Sequence, residues 1–468
     1  MLYVYGDSHA HFNMEGYSLP HVLCHTNSIT MHRVGRDREI LRCDPSALQK
    51  DDTCLFFYGE VDCRCHIGRQ LATGRSLDEI VEQLVGSYLQ TISHLFPSHP
   101  DRPAIVIGSI TPPVRKEDHE ARHGPITHDF PMIGTDQERA LYTRRMNEAL
   151  RTACLSRDYV FLDLTPLYAD EEGMLYLEKS DYNCHIIENH AIHTAITRIL
   201  SPPVVTVNIM GGLGNQLFQL AAAYSYAKRE KGTLRILRQP NNGSRPFYWD
   251  SICHALLPSM VDTLPSTLLS WHEPLPTMYT PIPSLPDSGI HLHGYFQSSA
   301  YHVEKEEIRS LFAPPLWVQS VQEAYHTLLE QSHRVIVVHC RQTDYLTHRE
   351  IHGPLTMDYY RRAIERARLW VEDPLFLLCG DDQTFWTPLC AELPPTAYHV
   401  LEESSDVRTF LLLQHFKYVI MSNSTFIWWC VYLSLSHPCH VIAPAQWFGP
   451  KGPHPFHDIY EPSWIQMD

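Results

Sequence analysis

Positive charge is scarce in this sequence. Over 468 residues, 37 Lys and Arg face 53 Asp and Glu, a formal net charge of −16. A surface of that sign repels phosphate backbones and anionic lipid. No local basic patch offsets it, so nucleic acid is not an expected partner. Long apolar runs are also missing. The longest, near Phe426 to Leu435, is far shorter than the roughly 20 residues a bilayer requires. The start, Met1 to Asp7, has no basic region leading into an apolar one, so no signal peptide is expected and the chain reads as soluble and cytoplasmic. A disulfide framework is lacking too: the thirteen cysteines are odd in number and scattered. Their one tight group, Cys63, Cys65 and His66, has no second ligand pair at zinc spacing, and no metal is expected. No repeat of 20 to 50 residues occurs.

What is present is ample apolar material. Hydrophobic residues make up 44% and charged residues 19%, enough for packed cores. Ser201-Pro202-Pro203 marks a boundary, because paired prolines end helices and stiffen linkers. Domains are expected over 1–200 and 201–468. In both, short apolar runs alternate with helical patterns, the signature of α/β architecture with parallel sheets. Strands are expected at Leu2–Tyr5, Thr53–Tyr58, Ala104–Ile110 and Tyr159–Leu162 in the first segment. In the second they are expected at Val204–Ile209, Thr233–Leu237, Arg334–His339, Leu375–Cys379, Tyr418–Met421 and Cys439–Ile442. Pro274–Gly289, with five prolines, reads as an irregular loop.

Ligands of open parallel sheets sit beyond the carboxyl ends of the strands, so chemistry should come directly after a strand. Four blocks of the second segment meet that condition. Gly211-Gly212-Leu213-Gly214-Asn215-Gln216 follows Val204–Ile209 and opens a helix, where glycines allow close backbone approach. It is neither a P-loop nor the full dinucleotide fingerprint, since Leu217 takes the third glycine position. His339-Cys340-Arg341-Gln342-Thr343-Asp344-Tyr345 follows a buried strand; an arginine there is costly unless it meets an anion, and its planar fork suits a diphosphate. The bland reading is an Arg341–Asp344 ion pair. Gly380-Asp381-Asp382 and Ser422-Asn423-Ser424-Thr425 also end strands, the latter as an N-cap cluster.

Together with Gly294 to Ser298 (Gly-Tyr-Phe-Gln-Ser) and the Phe426-Ile427-Trp428-Trp429 continuation, these blocks resemble, in order, the GDP-fucose-dependent alpha-1,2-fucosyltransferases, glycosyltransferase family 11. The closing Val441-Ile442-Ala443-Pro444 to Trp447-Phe448 is similar as well. The resemblance implies a GT-B fold of two Rossmann-like lobes, an acceptor side over about 204–320 and a nucleotide side over about 321–468. It implies inverting transfer of L-fucose from GDP-fucose to a glycan hydroxyl, with no cofactor beyond that donor. The chain has no Asp-x-Asp to hold a cation, which leaves Arg341 as the expected partner of the departing β-phosphate. By the same likeness His339 lines the nucleotide site, Asp381 or Asp382 accepts from guanine, and Asn423, Ser424 and Thr425 hold phosphate. Gly212, Gly214 and Asn215 shape the cleft near the sugar. Asp344, Glu350 and His352 are the candidate general bases. Family members usually carry a second arginine beside the first; here it is Gln342, so either a lower diphosphate affinity or help from another cation is expected. A silent GDP- or glycan-binding protein is the alternative.

The first segment resembles the SGNH hydrolases, which have a flavodoxin-like three-layer fold. Gly6-Asp7-Ser8 corresponds to the nucleophile block, and Asp181 with His185 to the late base block. Two departures stand out: the oxyanion asparagine is Val61, and three residues instead of two separate Asp181 from His185. Losing an oxyanion donor costs about 10²–10³ in rate. Glu60, Asp62, Arg64 and His66 form a further polar cluster. A second sugar-active transferase unit is therefore the leading expectation here. An acyl-esterase on glycans with Ser8 as nucleophile, and a binding scaffold, are the alternatives.

Overall fold

The computed structural model describes residues 1–41, 43–97, 102–243, 245–436 and 439–468. The chain forms two compact units, Met1–Ser201 and Pro202–Asp468, and is mixed α/β with several parallel sheets.

In the first unit, strands β1 (Leu2–Gly6), β2 (His21–His25), β3 (Thr53–Phe57), β4 (Ala104–Gly108) and β5 (Val160–Leu162) form one sheet of order β2-β1-β3-β4-β5. Every pairing is parallel. Successive side chains point to opposite faces. Tyr5, Phe56 and Ile107 pack with residues of the helices Leu77–Leu95 and Asp136–Leu155, while Val4, Leu55, Phe57 and Val106 pack with those of Ser8–Met14 and His190–Leu200. Both long helices open on capping boxes, Ser76 with Glu79 and Thr135 with Glu138. The strand order reverses between β1 and β3, the crevice where such sheets bind ligands. Gly6-Asp7-Ser8 and Gly59-Glu60 leave the sheet there.

The second unit holds two larger parallel sheets. The first joins β6 (Val204–Val207), β7 (Thr233–Leu234), β10 (Leu269–His272) and β11 (Ile290–His293) in the order β10-β11-β6-β7. A two-stranded piece pairs β8 (Ile236–Leu237) with β9 (Met260–Val261). The largest sheet runs β14-β13-β12-β15-β16-β17, from β12 (Val335–Cys340), β13 (Leu375–Gly380), β14 (Tyr398–Val400), β15 (Tyr418–Ile420), β16 (His440–Pro444) and β17 (Ile465–Met467). Its reversal lies between β12 and β15, which places Arg341 and Ser422–Thr425 at one crevice. Residues 274–289 contain neither strand nor helix.

Two expectations change. Thr233–Leu237 is not one strand: β7 and β8 split around Arg235 and pair with different partners. Strands β2, β10, β11, β14 and β17 carry too weak an apolar signal to be expected from the sequence. All contain His or Gln, and all but β11 lie at sheet edges, where one side needs no apolar cover.

Candidate functional site

Residues that follow strands of both large sheets line a cavity of about 640 Å³ in the second unit. Gly211–Asn215 come from the end of β6, Tyr295 and Gln297 from β11, His339 and Arg341 from β12. Asp381 follows β13, and Ser424–Phe426 follow β15.

Arg341 carries the charge of this cavity. One guanidinium nitrogen lies 2.8 Å from Asp344 Oδ1 and the other 3.2 Å from Asp381 Oδ2, with the Tyr345 ring 5.7 Å beneath. Burial works against the charge, but the two carboxylates outweigh it and raise the pKa. Asp344 is lowered in turn: burial opposes, and Arg341 and Arg245 prevail. Arg341 thus forms the ion pair of the bland reading and also lines the cavity. Asp381 accepts from the backbone N–H of Gln342 (2.8 Å) and of Thr343 (3.1 Å). Most of its acceptor capacity therefore goes to the protein.

The second cation of the cavity is Arg245, which bonds Asp344 Oδ2 at 2.7 Å. Sequence reading missed it, because it sits in a loop with no strand before it and no motif around it. Gln342 does not take up that role. Its side chain is buried and donates to the Leu355 carbonyl at 3.0 Å, and it does not line the cavity.

The glycine block has separable jobs. A Cβ on Gly214 would sit 2.4–2.6 Å from backbone atoms of Thr425 and Phe426, so only glycine lets the helix Leu213–Arg229 approach the helix Thr425–Tyr432. A Cβ on Gly212 would meet nothing within 4 Å; its bareness faces open space. Asn215 Oδ1 accepts from Thr425 Oγ1 (3.1 Å) and Gln297 Nε2 (3.0 Å), tying three motifs together. Ser424 caps its helix by accepting from Phe426 N–H.

Three expected site residues lie elsewhere. Asn423 is buried and donates to the carbonyls of His352, Gly353 and Trp447, so it fixes the loops around the cavity instead of lining it. Asp382 caps the turn Gln383–Trp386 through Thr384 N–H. Glu350 points to the surface, paired with Lys451 at 2.5 Å. Of the candidate bases, Asp344 and His352 line the cavity. Asp344 is clamped between two guanidiniums. His352 stacks on Tyr345 with centroids 4.4 Å apart, and burial lowers its pKa. That shift favours the unprotonated imidazole. His339 bonds Ser422 Oγ at 2.9 Å and is pushed down to about 3 by burial, so it is uncharged.

In the first unit the widely separated blocks converge. His185 Nε2 lies 2.9 Å from Ser8 Oγ, and His185 Nδ1 2.7 Å from Asp181 Oδ2. The other Asp181 oxygen accepts from the backbone N–H groups of Asn183, Cys184 and His185, which locks the carboxylate. Phe12 stacks on the imidazole at 3.9 Å. Burial opposes both charges, but the pair prevails: Asp181 falls to about 2 and His185 rises to about 9. Asp7 caps the Ser8–Met14 helix and bonds His9 Nδ1 at 2.9 Å. Glu60 and Arg64 form a buried pair at 2.8 Å, and Arg64 covers the Phe130 ring. Asp62 accepts from Met31 and His32 N–H, a structural task, and burial raises it to about 7. His66 bonds Gln70. Among the described residues, the ligand atoms close enough to share an ion belong to His9, Cys184 and His185, not to the Cys63–Cys65–His66 group.

Comparison with known proteins bears on the second unit. The family model described as glycosyl transferase family 11 matches residues 195–468. An Escherichia coli protein named alpha-1,2-colitosyltransferase is 24% identical over 290 residues, covering 57% of this chain and 99% of that one. The O-antigen biosynthesis glycosyltransferase WbnK of Escherichia coli is 25% identical, covering 51% and 93%. Among solved structures, the fucosyltransferase NodZ from Bradyrhizobium matches 50% of this chain and 92% of its own at 16% identity, with a TM-score of 0.33, a likeness too distant for functional argument. With more than half its length matched by one family model, and with that family's motifs gathered around a single cavity, the chain belongs to glycosyl transferase family 11.

Proposed function

We propose that the second unit is an inverting fucosyltransferase of GT-B architecture that moves L-fucose from GDP-fucose to a glycan hydroxyl, in α-1,2 linkage, without a metal ion. The observation that carries this reading is the placement of Arg341 and Arg245 in one cavity at the β12/β15 crevice, joined through Asp344. Two guanidiniums supply the positive charge that a carboxylate-held cation would otherwise bring, and the chain has no Asp-x-Asp. The pyrophosphate would replace the carboxylates that Arg341 now pairs with, Asp344 and Asp381, and the Asp344 oxygen that Arg245 now donates to.

Transfer then needs an acceptor hydroxyl to attack fucose C1 as the bond to the β-phosphate oxygen breaks. Negative charge grows on that oxygen, and Arg341 acts most strongly where it grows. The hydroxyl proton needs a base. His352, which lines the cavity and whose burial favours the unprotonated ring, suits the task better than Asp344, whose affinity for a proton is lowered by both arginines. Gly212, beside open space, would let the donor approach the backbone. Incubation with GDP-fucose and a panel of galactose-terminated glycans tests the reading. The expected product is an α-1,2-linked fucoside identified by NMR, with stoichiometric GDP. Transfer of nucleotide-activated colitose but not fucose, the sugar in one relative's name, would replace the donor assignment. Binding of GDP without any turnover would replace the enzyme reading by a silent binding protein.

For the first unit, the Ser8–His185–Asp181 distances favour an SGNH-like acyl hydrolase over a second transferase. Ser8 would attack an acyl carbonyl, the unprotonated form of His185 would take its proton, and Asp181 would orient the ring; with His185 raised to about 9, that form grows as pH rises. Labelling by a fluorophosphonate in the parent protein, lost in Ser8→Ala, is the expected result; no labelling would return this unit to the scaffold reading.

A further inference from the structure

We propose that His9, Cys184 and His185 form a binding site for a thiophilic divalent cation, Zn²⁺ by its donor set, and that a bound ion silences Ser8. The ligand atoms of the three residues lie within 4.8 Å of one another, and all three residues are buried. Cys184 Sγ stands 3.5 Å from His185 Nε2. Zn–S near 2.3 Å and Zn–N near 2.0–2.1 Å put two such donors about 3.5 Å apart across a tetrahedral ion. Each imidazole has its Nδ1 on a carboxylate, His9 on Asp7 at 2.9 Å and His185 on Asp181 at 2.7 Å. That arrangement orients metal-bound histidines and directs Nε2 at the ion. Asp7 is 1% exposed, and its second oxygen has no hydrogen-bond partner, so a buried carboxyl oxygen lies next to the site without a donor.

Three protein ligands leave a fourth position open, beside the Ser8 hydroxyl. Filling the site exchanges protons for metal: the Cys184 thiol proton goes to solvent, and so do the proton His9 Nε2 shares with the Cys184 carbonyl at 3.0 Å and any proton on His185 Nε2. His185 Nε2 is the atom that faces Ser8 Oγ. It can hold the ion or accept the serine proton, but not both. The silencing step rests on the hydrolase reading of this unit; the metal site does not.

The full chain, stripped with chelator and titrated with Co²⁺ as a spectroscopic stand-in, tests both. The expected signature is tetrahedral d–d absorption with a thiolate charge-transfer band, complete at one equivalent and bleached by Zn²⁺. In Cys184→Ser the charge-transfer band is lost and affinity falls tenfold or more; His9→Gln, a second variant, weakens binding by a similar factor. In parallel, one equivalent of Zn²⁺ stops fluorophosphonate labelling of the parent, and EDTA restores it, while Cys184→Ser keeps labelling in the same Zn²⁺. A missing charge-transfer band, or one unchanged in both variants, overturns the site. A normal band with no Ser8 labelling even in EDTA leaves the site standing and removes the hydrolase reading.

Discussion

Asp344 bridges two arginines that are far apart in sequence: Arg341 approaches one of its oxygens at 2.8 Å and Arg245 the other at 2.7 Å. A carboxylate so placed keeps two cations at one point of the cavity, ready to turn toward a more highly charged anion. Until such an anion arrives, it also keeps their like charges from facing each other without compensation. Because both groups remain partly exposed, the bridge itself adds little to stability; its value lies in position.

The first prediction concerns Arg341. Arg341→Ala should lower kcat/KM for GDP-fucose by about 10²–10³, the usual cost of losing one stabiliser of transition-state charge. Arg341→Lys should recover only part, because an ammonium cannot span two phosphate oxygens as a fork. Initial rates of GDP release measure both, and an unchanged rate in Arg341→Ala would remove this residue from the reaction.

Arg245 and Gln342 make a discriminating pair. Arg245→Ala should weaken GDP binding, read by calorimetry, by roughly tenfold, the equivalent of about 1.4 kcal/mol. Gln342→Arg should not rescue it, even though it restores the arginine that family members usually carry. The Gln342 side chain is buried against the Leu355 carbonyl, so a longer charged side chain there costs stability. Rescue by Gln342→Arg would mean that position reaches the pyrophosphate.

His352 sets an expected pH dependence. A base works only when unprotonated, so kcat falls as pH drops through its pKa. Burial holds that pKa below the ordinary value near 6.5. The profile should therefore be flat from pH 7 to 8, with its acid limb below about pH 6.5. His352→Ala should lower kcat at neutral pH by about 10² and abolish that limb. A limb that persists in the variant belongs to another group.

The two glycines should part company. Gly214→Ala drives a methyl into the backbone of Thr425 and Phe426, and overpacking of this kind costs about 1–3 kcal/mol. The melting temperature should fall by several degrees. Gly212→Ala has room for its methyl and should leave melting nearly unchanged while raising KM for the donor. Equal effects on melting would contradict the division of labour.

Much of this arrangement is legible in the sequence because the chemistry sits in the loops that leave the strands. The buried runs preceding Gly211, His339, Gly380 and Ser422 form the strands β6, β12, β13 and β15, and parallel packing carries the loops at their carboxyl ends to one side. Ser8, Asp181 and His185 can be named from their blocks, although 177 residues separate Ser8 from its imidazole. The hidden parts lack a local signal. Arg245 is one arginine in a polar loop, and only the folded chain brings it to Asp344. Cys184 looks like one scattered thiol among thirteen, because its ligand partner His9 is 175 residues away. Asn423, Asp382 and Glu350 sit in or beside the motifs, yet their side chains serve a loop, a turn and a surface pair. Spacing cannot say which way a side chain points.

The central claim, that a pair of guanidiniums does the work of a metal ion at the departing pyrophosphate, is tested most directly by turnover in chelator. GDP release from GDP-fucose and a glycan acceptor should proceed at full rate in EDTA, and manganese should not restore Arg341→Ala. Loss of turnover in EDTA with recovery on added manganese would contradict it.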